Sequence, residues 1–477
     1  MSRKRENQEG RTPLADALDA IRNRVSFHMP GHRKGRLLPG LPDIPLGALD
    51  TTELADSGDL ASPSGQVLEA YRLAASFFGA GESWFITSGT TTSIFIMMAA
   101  VLREGDRVIM PRAVHIAAVH AVAILGLEPL FVSPAAGESF PDGQPHAGAY
   151  LASIQQYPDA RACYVTCPDY YGRTMDLSIL AEAAKEAGMA LLVDEAHGAH
   201  FAAAPGLLPR TALSLGADLT CQSAHKTLPA LTPASLLHVS QEALDSGRVD
   251  SCRLAGLVKV FQTSSPSFLI AASMDAARAV AAQRGAAAIE RLIRLNRELC
   301  DELPAFYRRI LPEGADRSRL VIDYSRTGCS RISFSSHLYK AGIDAELIDL
   351  TRAVFIPGFD QDEDDYARLL SALKSVPAKT DPEKIAGHVK RTSALSEQRD
   401  TLLSGAARFE LTPRQALFGR AGEAHVATCA IAPYPPGLPL VWPGERLTVF
   451  HRRYLEKLQA EGIAVRGISP VPASGPQ

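Results

Sequence analysis

Long apolar runs are missing from this sequence. No stretch approaches the roughly 18 consecutive apolar residues of a membrane-spanning helix, and the charged start Met1-Ser-Arg-Lys-Arg-Glu6 leads into no apolar core of signal-peptide type. Charge of one sign is missing too. The 49 Lys and Arg nearly balance the 52 Asp and Glu, for a formal net charge of -3, so nothing electrostatic points to nucleic acid or an anionic membrane as partner. Cysteine is sparse. The seven thiols (Cys163, Cys167, Cys221, Cys252, Cys300, Cys329 and Cys429) are odd in number and include no Cys-x-x-Cys pair, which argues against a disulfide framework and against a zinc site. The expectation is a cytoplasmic protein without metal that acts on a small molecule. Its 477 residues, 46% hydrophobic and 21% charged, allow two or three domains with sizeable cores.

Residues 1–70 are crowded with turn formers (Pro30, Gly31, Gly35, Pro39, Gly40, Pro42, Pro45, Gly47) and read as an extended N-terminal arm. Beyond them the pattern alternates. Strand-like Trp84 to Thr87, Val108 to Met110, Pro129 to Val132, Ala162 to Thr166 and Met189 to Val193 are separated by helix-like Thr92 to Leu102, His115 to Leu125 and Leu177 to Ala187, the rhythm of βαβ units. The fold class is therefore α/β, with a mostly parallel central sheet covered by helices on both faces. An Ala-rich stretch from Phe268 to Arg308 predicts long helices, and residues from Ser318 onward predict a smaller α+β unit. Lys374 to Ser404 reads as a helical connector. The expected division is 1–70 for the arm, 71–310 for the large domain and 311–477 for the small one, with a disordered tail at 469–477.

Three elements in this frame carry chemistry. Ser88-Gly89-Thr90-Thr91 lies between a strand and an apolar helix, where backbone N–H groups, hydroxyls and the helix dipole converge on a phosphate. Asp194 ends an apolar strand, where ligands collect in open α/β sheets. Lys226 lies in Gln222-Ser-Ala-His-Lys-Thr-Leu228, between apolar stretches that favour the neutral amine. A lysine for an imine, a carboxylate for a pyridine nitrogen and a phosphate turn are the parts of a pyridoxal phosphate (PLP) site. Each also has a plain structural reading: a helix cap, a turn after a strand, a surface lysine. His115 reads either as a helix cap or as a group stacked on the cofactor ring.

In combination, longer segments make the chain resemble the Orn/Lys/Arg decarboxylases, fold type I PLP enzymes, in the short form without a receiver-like N-terminal domain. The segments are Phe27-His-Met-Pro-Gly-His-Arg-Lys-Gly35, Asp50-Thr-Thr-Glu-Leu54, Pro168-Asp-Tyr-Tyr-Gly172, Leu192-Val-Asp-Glu-Ala-His-Gly-Ala-His-Phe201, the Lys226 run, Thr263-Ser-Ser-Pro-Ser267, Pro433-Tyr-Pro-Pro-Gly-Leu-Pro439 and Pro443-Gly-Glu445. The resemblance implies a fold type I PLP-dependent amino-acid decarboxylase in which Lys226 carries the cofactor, Asp194 pairs with the pyridine nitrogen and His115 stacks on the ring. It places His197 near the ring and the departing carboxylate. Ser88, Gly89, Thr90, Thr91, Ser223 and His225 would contact or flank the phosphate. It also implies a homodimer, or a higher oligomer built on it, with Thr263 and Ser264 completing a neighbour's site. By resemblance the substrate is lysine, arginine or ornithine.

The chain departs from the family pattern at Gly58 and Ala61 in Gly58-Asp-Leu-Ala61, at Ile116 after His115, and at Cys429. Polar hooks are lost there, which leaves open a less basic or modified substrate, another reaction (lyase, aminotransferase or oxidative deaminase), or a non-catalytic regulatory paralogue.

Overall fold

The computed structural model describes residues 24–28, 30–33, 36, 37, 50, 51, 53, 57–132, 144–404, 408–419, 425–434 and 437–467. Much of the predicted arm and the whole predicted tail lie outside the described residues. So do parts of three quoted segments, at Met29, Lys34 and Gly35, at Thr52 and Leu54, and at Pro435 and Pro436.

Strand β1 is Val25–Phe27; strands β2 (Glu82–Ile86), β3 (Arg107–Pro111), β4 (Glu128–Val132), β5 (Ala162–Thr166), β6 (Ala190–Asp194), β7 (Leu219–Gln222) and β8 (Ser235–Val239) form the central sheet. Their spatial order is β2-β8-β7-β6-β5-β3-β4. The pairs β3/β4, β3/β5, β5/β6 and β6/β7 are parallel, whereas β8 runs antiparallel to both β2 and β7. Every residue of β6 and β8 is buried, as expected of strands covered by helices on both faces. The helices Thr90–Val101 and Ile116–Leu125 are apolar almost all round and sunk into that layer. The sequence alternation anticipated β2 to β6. It did not anticipate β8, a short apolar run that resembles any buried turn of chain.

The Ala-rich stretch is one helix, Phe268–Glu302, which stops before Pro304. Beyond it, β9 (Arg308–Arg309), β10 (Leu320–Asp323), β11 (Ile343–Ala345), β12 (Leu347–Ile348) and β13 (Arg352–Phe355) follow. Four of these form an antiparallel sheet in the order β12-β13-β10-β9, and β11 pairs in parallel with the arm strand β1. The arm is also stitched to the Lys226 segment. The Gly31 N–H donates to the His225 carbonyl at 2.7 Å, and a side chain at position 31 would bring its Cβ within 2.5 Å of the Leu228 oxygen, so glycine permits this approach. The predicted connector contains the helix Pro382–Ser404, and β14 (Ala432–Tyr434) pairs with β15 (Ala464–Arg466). This last region is tied to the sheet by the buried ion pair of Arg112 with Glu445 at 2.5 Å and by Trp442 Nε1, which donates to the Arg112 carbonyl at 3.1 Å.

Candidate active site

The carboxyl ends of β5, β6 and β7 meet over one pocket. Asp194 pairs in register with Thr166 of β5 and Cys221 of β7, and its carboxylate is buried. It accepts from the Ala196 N–H at 3.1 Å and from the Tyr164 hydroxyl at 3.2 Å. Burial pushes its pKa up, against the pull of the Lys226 cation and those hydrogen bonds. Lys226 lies in the one-turn helix Ala224–Thr227 directly after β7. Burial lowers its pKa, opposed by Asp194 and Glu346. Both shifts favour the neutral forms. The lysine Nζ lies 3.1 Å from His197 Nε2, and His197 has its pKa held well below the usual range by burial and then by the Lys226 and Arg319 cations.

The turn after β2 carries the Ser88 to Thr91 segment. Gly89 has φ +87°, a conformation that only glycine adopts without strain, and the helix Thr90–Val101 begins behind it with its first amides free of intrahelical partners. Ser88 and Thr91 are exposed. Thr90 turns inward: its hydroxyl bonds Ser223 Oγ and, at 3.1 Å, Ser235 Oγ. This joins the turn to the residues flanking Lys226. His225 is buried and its Nδ1 faces the Ala234 carbonyl at 2.8 Å; burial drives its pKa down to about 4.

His115 caps the helix Ile116–Leu125, its Nδ1 accepting from the Ala117 N–H at 3.2 Å. The cap reading is thus observed, and it leaves the ring of this side chain available for the site reading. Its surface is exposed, yet enough protein surrounds it for burial, with Lys226 adding, to lower its pKa to about 4. An exposed imidazole within the electrostatic reach of Lys226 is suited to lie against a planar ring.

Thr263 and Ser264 are exposed on the loop after the helix Ser251–Phe261, and Thr263 bonds only within that loop, to Ser265. The loop nonetheless begins beside the Ser88 to Thr91 turn, because the buried Gln262 Oε1 accepts from the Thr87 N–H at 2.8 Å. Of the divergent positions, Gly58 (φ +84°) would carry a Cβ 2.9 Å from Val67, and Ala61 donates its N–H to Asp59 Oδ1 at 2.7 Å. Both belong to a tight turn before the helix Gly65–Phe78. Cys429 bonds the Gly467 carbonyl at 3.3 Å, beside β14 and β15.

Two residues near Lys226, Glu346 and Arg319, escaped the sequence reading, and Tyr170 was quoted there only within the segment Pro168 to Gly172, with no role. Glu346, between β11 and β12, is buried; it accepts from the Tyr170 hydroxyl at 2.5 Å and lies 3.6 Å from His28 Nε2. Tyr170 sets its ring against His197, with centroids 4.7 Å apart. Arg319, ahead of β10, is buried and places Nη1 3.4 Å from His197 Nδ1. A carboxylate alternating with apolar residues, as in Ile343-Asp-Ala-Glu-Leu-Ile348, was the available signal for Glu346.

An amine poised to be neutral, a buried carboxylate, an open imidazole face and a turn of free amides fit a phosphorylated pyridine aldehyde. The fold and these residues define a fold type I PLP enzyme. The sequence profile described as Orn/Lys/Arg decarboxylase, major domain, matches residues 12–310. The chain belongs to the Orn/Lys/Arg decarboxylase family. It is 33% identical to the uncharacterised protein YaaO of Bacillus subtilis, with 96% of each chain covered. It is 30% identical to an arginine decarboxylase of the same organism, covering 96% of this chain and 95% of that one. The structure of the lysine decarboxylase LdcF of Francisella novicida superposes with a TM-score of 0.73 at 18% identity, over 96% of this chain and 80% of that one, a likeness of fold. The protein is a PLP-dependent decarboxylase. Among the described residues no helix is long and apolar enough to cross a membrane, and no cluster of His, Cys, Asp and Glu could hold a metal.

The phosphate turn offers a direct test. Gly89→Ala forces an L side chain into the φ +87° conformation, with its Cβ 3.3 Å from Pro233 Cβ. Strain of about 1–3 kcal/mol is expected to weaken PLP retention by up to roughly 100-fold, read as cofactor content after dialysis; wild-type retention would show that the turn does not hold the phosphate.

Proposed function

We propose that the protein decarboxylates a basic amino acid, arginine, lysine or ornithine, to the amine and CO2. The observation that carries this reading is Glu346, a buried carboxylate that acts electrostatically on both Lys226 and His225. Held by the Tyr170 hydroxyl and near His28, this carboxylate keeps a negative charge beside Lys226, which a distal ammonium or guanidinium of the substrate would complement. The polar hooks lost at Gly58, Ala61, Ile116 and Cys429 are thereby answered from another part of the chain. Arginine decarboxylases among the relatives support the same substrate class.

Each side chain then has a task. PLP, when bound, supplies the electron sink for the pair released as the Cα–carboxylate bond breaks. Lys226 would hold the cofactor, and burial lowers its pKa toward the neutral, nucleophilic amine. Asp194 keeps a proton on the pyridine nitrogen. His115 covers the ring, His197 holds a proton beside Lys226, and Ser88, Gly89, Thr90, Thr91, Ser223 and His225 form or brace the phosphate turn. The arm, through β1 and Gly31, closes the pocket.

The assembly we propose is a homodimer in the cytoplasm. Thr263 and Ser264 would complete the partner's site, consistent with the nearby apolar Val260, which is 73% exposed. The products would feed polyamine synthesis, and the division at about residues 70 and 310 would separate the arm, the large domain and the small domain.

Glu346→Gln tests the reading. Loss of one charge-assisted contact, about 1.5–3 kcal/mol, is expected to lower kcat/KM for basic substrates by roughly 10- to 150-fold and to spare neutral ones. Equal losses on both would remove Glu346 from substrate recognition. Higher efficiency on a neutral amino acid in the wild-type enzyme would favour the less basic substrate.

A further inference from the structure

Behind Lys226, buried polar groups run away from the pocket. His197 Nε2 faces Lys226 Nζ at 3.1 Å, and the other ring nitrogen, Nδ1, faces Arg319 Nη1 at 3.4 Å. The guanidinium is itself held on three sides. Its Nη1 donates to the Tyr170 carbonyl at 2.8 Å, its Nη2 to the His197 carbonyl at 3.4 Å, and its Nε lies 3.7 Å from Asp316 Oδ2. Asp316 is fixed in turn by His200 Nε2 at 3.0 Å and by the Ser318 hydroxyl and amide at 2.6 and 2.9 Å. His197, Arg319, Asp316, His200 and Ser318 are all buried.

A guanidinium carries donors and no acceptor, and it stays charged in proteins. Its N–H can therefore be satisfied by His197 only if Nδ1 carries a lone pair. In a neutral ring the proton must then sit on Nε2. From this geometry we infer that Arg319 is a positioning residue that holds His197 as the neutral Nε2–H tautomer, with that proton aimed at Lys226 Nζ. This deepens the assignment of the Lys226 pocket as the reaction site and rests on it.

The consequence falls on the lysine. A ring of the opposite tautomer would turn its lone pair toward Nζ and stabilise the ammonium, which has no lone pair to attack with. The tautomer set by Arg319 offers a hydrogen-bond donor instead, which only a nitrogen with a free lone pair can accept. Burial of both groups and the pull of the two cations on His197 act in the same direction. Arg319 thus reaches the reacting amine through one imidazole, without touching it.

The test is the nitrogen spectrum of His197 in the full-length holoprotein labelled with ¹⁵N-histidine, assigned by the signals lost in His197→Asn. The expected pattern is an unprotonated Nδ1 and a protonated Nε2. In Arg319→Met the Nδ1 signal is expected to shift toward the protonated or averaged position. A protonated Nδ1 in the wild type, or an unchanged pattern in Arg319→Met, would overturn the inference. The wild-type spectrum decides even where the variant does not fold. It is also independent of the site assignment, which fails separately if borohydride leaves no pyridoxyl group on Lys226.

Discussion

Lys226→Ala is expected to lower turnover by roughly 10⁴-fold or more, the scale of losing a residue on which every catalytic step depends. The side chain supplies the amine that holds the cofactor, and methyl has no substitute for it. Lys226 sits where β7 ends, beside His197 and within the field of Asp194, and no other lysine is described in that neighbourhood. Borohydride reduction of the wild type should leave a pyridoxyl group on the peptide containing Lys226, and that peptide should be unlabelled in the variant. A label on a different lysine, or turnover within tenfold of wild type, would sink the assignment.

Asp194→Asn carries the second large effect. An amide has the shape of the carboxylate but not its charge, so it cannot hold a proton on a pyridine nitrogen, and the electron sink weakens. A preorganised charge in an enclosed site is worth about 10²–10³ in kcat, and the loss should fall on kcat more than KM, since the interaction strengthens as the bond breaks. Folding should be little disturbed: burial already disfavours the charge, and the Asn carbonyl can still accept from the Ala196 N–H or the Tyr164 hydroxyl. Steady-state kinetics beside thermal unfolding separates these effects. Near-normal kcat would reduce Asp194 to a cap at a strand end.

Much of this was legible because the parallel strands advertise themselves. β5 and β6 are unbroken apolar runs ending in Thr166 and Asp194, and the turn at Ser88 to Thr91 is punctuated by a glycine whose φ of +87° no other residue adopts cheaply. Strand β8 was not legible, since an antiparallel strand inserted between β2 and β7 depends on contacts remote in sequence. Glu346 and Arg319 escaped for the same reason. They lie about a hundred residues beyond Lys226, in a region where local pattern predicts only an α+β unit. What brings them to the pocket is tertiary: β1 pairing with β11, and Arg319 closing on the His197 and Tyr170 carbonyls. His115 shows the converse, since its role as a helix cap does not exclude the proposed role beside the cofactor ring.

The loss of polar hooks at Gly58 and Ala61 also reads differently in three dimensions. Gly58 is required by its left-handed turn and by its contact with Val67. On the proposed reading, the carboxylate that would face a cationic substrate is Glu346, held by Tyr170 and near His28. Substrate class would, on that reading, depend on a residue that no short motif around the lysine contains.

The most direct test of the account is the stoichiometry of products from arginine, lysine, ornithine and a panel of neutral amino acids given to the purified, PLP-loaded enzyme. The account predicts one CO2 and one amine per molecule consumed for at least one basic amino acid, with kcat/KM near the roughly 10⁴ M⁻¹s⁻¹ of ordinary efficient enzymes. A keto acid with no CO2, or no turnover of any basic amino acid by enzyme that carries the cofactor on Lys226, would contradict it.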